Sequence, residues 1–151
     1  MIVNARKLIT VIEGISLGEA PRWRDGALYL SDIHADRVLK VNTERGTYEV
    51  LIQWDKPVSG LGWLPDGRLL VVSMHDRKVL RQELDGSIVE HADLGGIATW
   101  HTNDMVVAPD GSAYVVWHLH GVGRLIAMQF CVAYLVLAAA LLLLSLQRAG
   151  R

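Results

Sequence analysis

The side chains able to do chemistry gather in a few places along the 151 residues. Glu19 stands two positions before Pro21, a carboxylate beside a rigid stretch of backbone. Asp32, His34 and Asp36 alternate, as do His118 and His120, and residues two apart on a strand share a face as metal ligands can. His101 precedes the pair Asn103 and Asp104. Each of these has a plain structural alternative. Glu19 reads equally as a solvated loop carboxylate, and Asn103 with Asp104 as a turn that satisfies its own backbone. Asp32, His34 and Asp36 fall at a strand-to-turn junction, and no third ligand at suitable spacing accompanies His118 and His120. No glycine-rich phosphate loop and no nucleophile elbow is present, so the residues by themselves assign no catalytic group.

The elements that must position these side chains recur. Residues 15–32 (ISLGEAPRWRDGALYLSD), 57–74 (PVSGLGWLPDGRLLVVSM) and 101–118 (HTNDMVVAPDGSAYVVWH) each run from an apolar stretch through Asp-Gly into strand formers. The aspartates Asp25, Asp66 and Asp110 are spaced by 41 and 44 residues, the period of a β-propeller blade. Asp-Gly suits a type I′ hairpin, in which both central residues take positive φ, so Asp25-Gly26, Asp66-Gly67 and Asp110-Gly111 are expected to form such turns. Further strands are legible at 37–41, 48–52, 78–82 and 87–91, joined by turns at 42–46 and at Asp85-Gly86. Trp23, Trp63 and Trp100 each lie near a repeat start and are expected to pack between blades. The fold expected is all-β: an incomplete propeller of two blades and the start of a third. Residues 1–14 form a lead-in strand, and the propeller segment covers 15–124.

Composition conceals a second object. The chain is 51% hydrophobic with a net charge of −1, yet residues 125–146 (LIAMQFCVAYLVLAAALLLLSL) carry no charge at all. As a helix at 1.5 Å per residue, this run is long enough for a hydrocarbon core of about 30 Å. A hydrophobic C-terminal helix acting as a single transmembrane anchor is the first reading, with a short basic tail at 147–151. A buried helix and a frameshifted or prematurely ended reading frame are the alternatives. The N-terminus shows no signal peptide, which leaves a cytoplasmic or membrane-associated protein. Arg148 and Arg151 favour an inside C-terminus only weakly, so orientation stays open. Near-neutral charge excludes the basic footprint of a nucleic-acid binder. The single cysteine, Cys131, excludes an intramolecular disulfide and reads as an inert small hydrophobe.

Four segments resemble the senescence marker protein/gluconolactonase/luciferin-regenerating enzyme (regucalcin-like) family in its N-terminal part. They are Leu17-Gly18-Glu19-Ala20-Pro21-Arg22-Trp23, Leu28-Tyr29-Leu30-Ser31-Asp32-Ile33, Ser59-Gly60-Leu61-Gly62-Trp63-Leu64-Pro65-Asp66-Gly67, and Asn103-Asp104-Met105-Val106-Val107 with Pro109-Asp110-Gly111. The resemblance implies a six-bladed propeller with one divalent cation, calcium or zinc, in its mouth, and hydrolysis of a small-molecule lactone or ester. It implies that Glu19 is a metal ligand and that His101 and Asn103 bind substrate. His101 stands where an arginine is common in the sugar lactonases, and an imidazole, shorter and mostly uncharged at pH 7, grips a substrate carboxylate less firmly. A lone carboxylate and an amide fall short of the 6–8 oxygens that calcium takes. The expectation is therefore a truncated, gluconolactonase-like hydrolase, inactive alone. Open blade edges point to self-association. The alternatives are a membrane-tethered, non-catalytic interaction module and a truncated product with no selected function.

Overall fold

Alternating apolar residues between turn signals build ten strands in a computed structural model that describes residues 8–118. The strands are β1 (Gly18–Arg24), β2 (Ala27–Asp32), β3 (Arg37–Asn42), β4 (Thr47–Gln53), β5 (Val58–Trp63), β6 (Leu69–Ser73), β7 (Lys78–Gln82), β8 (Ile88–Asp93), β9 (Thr102–Val107) and β10 (Ala113–Trp117). One turn of 3-10 helix, Ile33–Ala35, joins β2 to β3. The strands form two four-stranded antiparallel meanders, β1-β2-β3-β4 and β5-β6-β7-β8, and a hairpin, β9-β10. The all-β expectation holds, and the two meanders and hairpin follow the strand count of the sequence repeat. Residues 8–17 join no sheet, so the lead-in expected as a strand is irregular where it is described. The expected C-terminal helix at 125–146 lies outside the described residues. Among the described residues no helix is long and apolar enough to cross a membrane.

The core is layered between sheets. Ala20, Val38, Ile52, Val58, Leu61, Leu69, Val71 and Leu80 fill the space between the first two sheets. Leu70, Val72 and Val79 face the other way, onto Met105 of the hairpin. The run Leu-Leu-Val-Val in β6 is thus buried on both faces, each side chain contributing about 1.5–3 kcal/mol. Leu30, Leu39 and Val41 on the outer face of the first sheet are covered by Val11, Ile12 and Ile15, which is what the irregular lead-in does.

The turns divide into two kinds. Asp25 and Gly26 both have positive φ (48° and 77°) and make the expected two-residue I′ turn. At the other Asp-Gly pairs only the glycine does, with Gly67, Gly86 and Gly111 at 87–90°. There the loop is three residues long, closed by Leu64 N–H to Arg68 O and Gly67 N–H to Leu64 O, with the same pattern at 83–87 and 108–112. This corrects the I′ expectation for Asp66-Gly67 and Asp110-Gly111. Pro65 and Pro109 suit the first turn of a type I turn, and glycine then supplies the left-handed residue. The aspartate is retained for another reason, since Asp66, Asp85 and Asp110 each accept the backbone N–H two residues on. The tryptophans also divide. Trp63 packs at the first inter-sheet core and meets Tyr29 edge-on at 4.9 Å. Trp23 is 64% exposed, so the expectation of inter-blade packing fails for it, its strand face having no neighbouring sheet among the described residues.

Candidate functional site

β1, β5 and β9 start their sheets, and each carries the same irregularity near its N-terminal end. In β1, Glu19 pairs with Ser31 and Arg22 with Tyr29, leaving Ala20 and Pro21 opposite Leu30 alone. In β5, Ser59 and Gly60 face Val72, and in β9, Asn103 and Asp104 face Val116. Each is a two-against-one bulge, which bends its strand and re-aims the side chains around it. Ala20 takes φ 48°, a left-handed conformation unusual for a residue with a side chain, and is buried there. Asn103 is therefore a residue of the third bulge, and Glu19 is the last paired residue before the first.

These bulges are tied across sheets. The Ser31 hydroxyl donates to the Ser59 carbonyl, and the Ser59 hydroxyl donates to Asn103 Oδ1 at 3.0 Å. Arg22 reaches from β1 across β5, donating to Leu61 O (3.1 Å), Asp104 Oδ1 (2.8 Å) and Met105 O (2.8 Å). Asp104 also accepts the Met105 N–H, so the backbone-capping alternative holds for Asp104, while Asn103 is engaged by Ser59. Gly60 permits the contact of β5 with β9, because a Cβ there would lie 2.5 Å from Met105 N.

His101, just before β9, packs its ring at a tilt against His75 (ring centroids 4.3 Å apart) and Trp100 (4.6 Å), and its carbonyl accepts the His118 N–H. Burial, then the neighbouring His75, His118 and Arg77, hold the His101 pKa below the usual 6.5, so the ring is uncharged at neutral pH. Asp32 is buried at the end of β2, accepting the Ser16 and Leu17 N–H groups and an ion pair from Arg37. That is a structural lock, the plain alternative for the Asp32, His34 and Asp36 set. His120 lies outside the described residues.

Glu19 is half-buried, and its carboxylate makes no hydrogen bond or ion pair with the described residues. That freedom suits a ligand, but among the described residues no group of three or more His, Cys, Asp or Glu side chains could hold a metal ion. One carboxylate does not make a calcium or zinc site, so the described residues do not fit the cation. Ser59 and Arg22 were hidden within motifs. Ser59 is one small residue in a glycine-rich strand, and the partner of Arg22 lies 82 positions along the chain.

Sheets of antiparallel strands packed face to face, each starting at a bulged strand, define a β-propeller-like protein. The model of the SMP-30/gluconolactonase/LRE-like region matches residues 17–120, and the chain belongs to that family. A gluconolactonase from Xanthomonas campestris is similar in structure, with TM-score 0.55 and 27% identity over 65% of this chain and 34% of that one. A second solved structure, of a candidate gluconolactonase, has TM-score 0.53 and 22% identity over 68% of this chain and 36% of its own, a likeness of fold alone. The chain spans about a third of the length of these structures. No curated protein matches it.

Proposed function

We propose that residues 15–118 contribute two blades and the opening hairpin of a third to the mouth of a six-bladed, lactone- or ester-hydrolysing propeller. The observation that carries this reading is Asn103, held in the β9 bulge by Ser59 at the end of the strand where His101 also stands. Membership of a lactonase-containing family supports it. In this reading Asn103 and His101 line the substrate mouth, and an uncharged His101 favours a neutral cyclic ester over a sugar acid. Glu19 would offer a divalent cation one carboxylate, too few donors to hold it without others. The 151-residue chain is inactive alone.

The test is an assay of the purified chain with D-glucono-1,5-lactone and added calcium, zinc, manganese or magnesium, beside a binding titration with δ-valerolactam, a ring of lactone shape that does not hydrolyse. No metal-dependent turnover, and lactam binding that Asn103→Ala abolishes, are expected. Robust turnover would overturn the inactivity, and lactam binding indifferent to Asn103 would overturn the site. Val106, Tyr114 and Trp117, exposed on the hairpin, support self-association of the chain, read by sedimentation as a concentration-dependent oligomer.

A further inference from the structure

The geometry points to Ser59 as a positioning residue that pins the Asn103 carboxamide by its oxygen and so presents the two Nδ2 hydrogens to a ligand oxygen. The argument begins with burial. Ser59 is fully buried, and a buried hydroxyl needs an acceptor for its hydrogen. Asn103 Oδ1, at 3.0 Å, is that acceptor. Turning the carboxamide over would let Nδ2 donate to the Ser59 oxygen but would leave the buried Ser59 hydrogen without its acceptor, so satisfying that hydrogen favours the oxygen facing inward. The Nδ2 group then points away from Ser59 and has no partner among the described residues. Asn103 thus becomes a donor to a carbonyl, ring or hydroxyl oxygen, and not a group that offers its oxygen outward to a cation.

The supports of this pin come from all three sheets. The Ser31 hydroxyl holds the Ser59 carbonyl, fixing the β5 bulge from the first sheet. Arg22 grips Asp104, the other residue of the β9 bulge. Gly60 removes the one side chain that would wedge β5 from β9. The ligand class named here, an oxygen-bearing neutral ring, rests on the lactone-hydrolase reading, whereas the pin itself does not.

The experiment separates the two. In the full 15N-labelled chain in mild detergent, the Asn103 Nδ2 group is expected to be as ordered as rigid backbone, with an order parameter near 0.85, and to fall below about 0.6 in Ser59→Ala. Ser59→Thr keeps the hydroxyl and restores the order. Should Ser59→Ala fail to fold, Ser59→Cys, of similar shape but a weak donor, gives an intermediate value. An Asn103 amide as ordered in either Ser59→Ala or Ser59→Cys as in the parent overturns the pin. Adding δ-valerolactam shifts the Nδ2 protons downfield in the parent and not in Ser59→Ala. An ordered amide that ignores the lactam overturns the ligand class and leaves the pin standing.

Discussion

The β5–β8 sheet and the β9–β10 hairpin are built from the same repeat, yet they bury themselves differently. In β6 all five residues are buried, while in β10 four of five are exposed and the fifth is half-buried. The sequences do not account for this, since Leu-Leu-Val-Val-Ser and Ala-Tyr-Val-Val-Trp are both strongly apolar. Position does. The middle sheet has the first sheet on one face and the hairpin on the other, whereas the hairpin has a described neighbour on one face only. A blade's stability is therefore supplied largely by what stands beside it.

The sharpest way to break that comparison is to remove a buried lock from a four-stranded sheet. Asp32→Ala strips Arg37 and two backbone N–H groups of their partner and is expected to cost about 4 kcal/mol in urea unfolding. Leu70→Ala, between the second sheet and the hairpin, is expected to cost about 3 kcal/mol. Tyr114→Ala on β10 should stay within about 0.5 kcal/mol, and equal losses at Leu70 and Tyr114 would end the contrast. Gly60→Ala forces β5 and β9 apart and is expected to cost about 2 kcal/mol, with amide shifts confined to Asn103 through Met105.

The smallest effects are those of pH. At Asp32, burial pushes the carboxyl up, but the Leu17 N–H, Arg37 and the Ser16 N–H outweigh it and leave the pKa below 3.8. A depressed carboxyl contributes its stability above the ordinary range and loses it as pH falls through the folded value. Asp32→Asn should flatten the unfolding midpoint below about pH 4, and an unchanged acid limb would count against the lock. His101 works in the opposite sense. Its lowered pKa means that the folded state resists protonation, so stability falls as pH drops below 6.5, and His101→Gln should lessen that slope while His91, held low by burial and Arg81, keeps its share.

Strand positions were legible because each strand is a short apolar run bounded by Asp-Gly or Asn-containing turns, and β3 and β7 fall within a residue of their expected limits. The turn type was less so. Asp-Gly marks a reversal, but the pair alone does not say whether the loop holds two residues or three, since three-residue loops form both behind Pro65 and behind Leu84. The roles of Glu19, His101 and Asn103 were legible only through family resemblance, and the structure places Asn103 in a supported bulge while leaving Glu19 without a second ligand among the described residues. The Ser59 contact and the Arg22 clasp escaped because a bulge is an event of register between strands, with no composition of its own.

Those three bulges have a consequence for how the strands can change. An extra residue shifts the in-and-out alternation by one, so side chains on either side of it obey separate rules of facing. The end of β9 that carries Asn103 is thereby uncoupled from the part that packs Met105 into the core. Substitutions at that end of the strand can accumulate without turning a core residue toward water, and a single-residue deletion within any bulge would do the reverse. The fold has, in effect, an expansion joint between the end of β9 that carries Asn103 and the part that packs into the core.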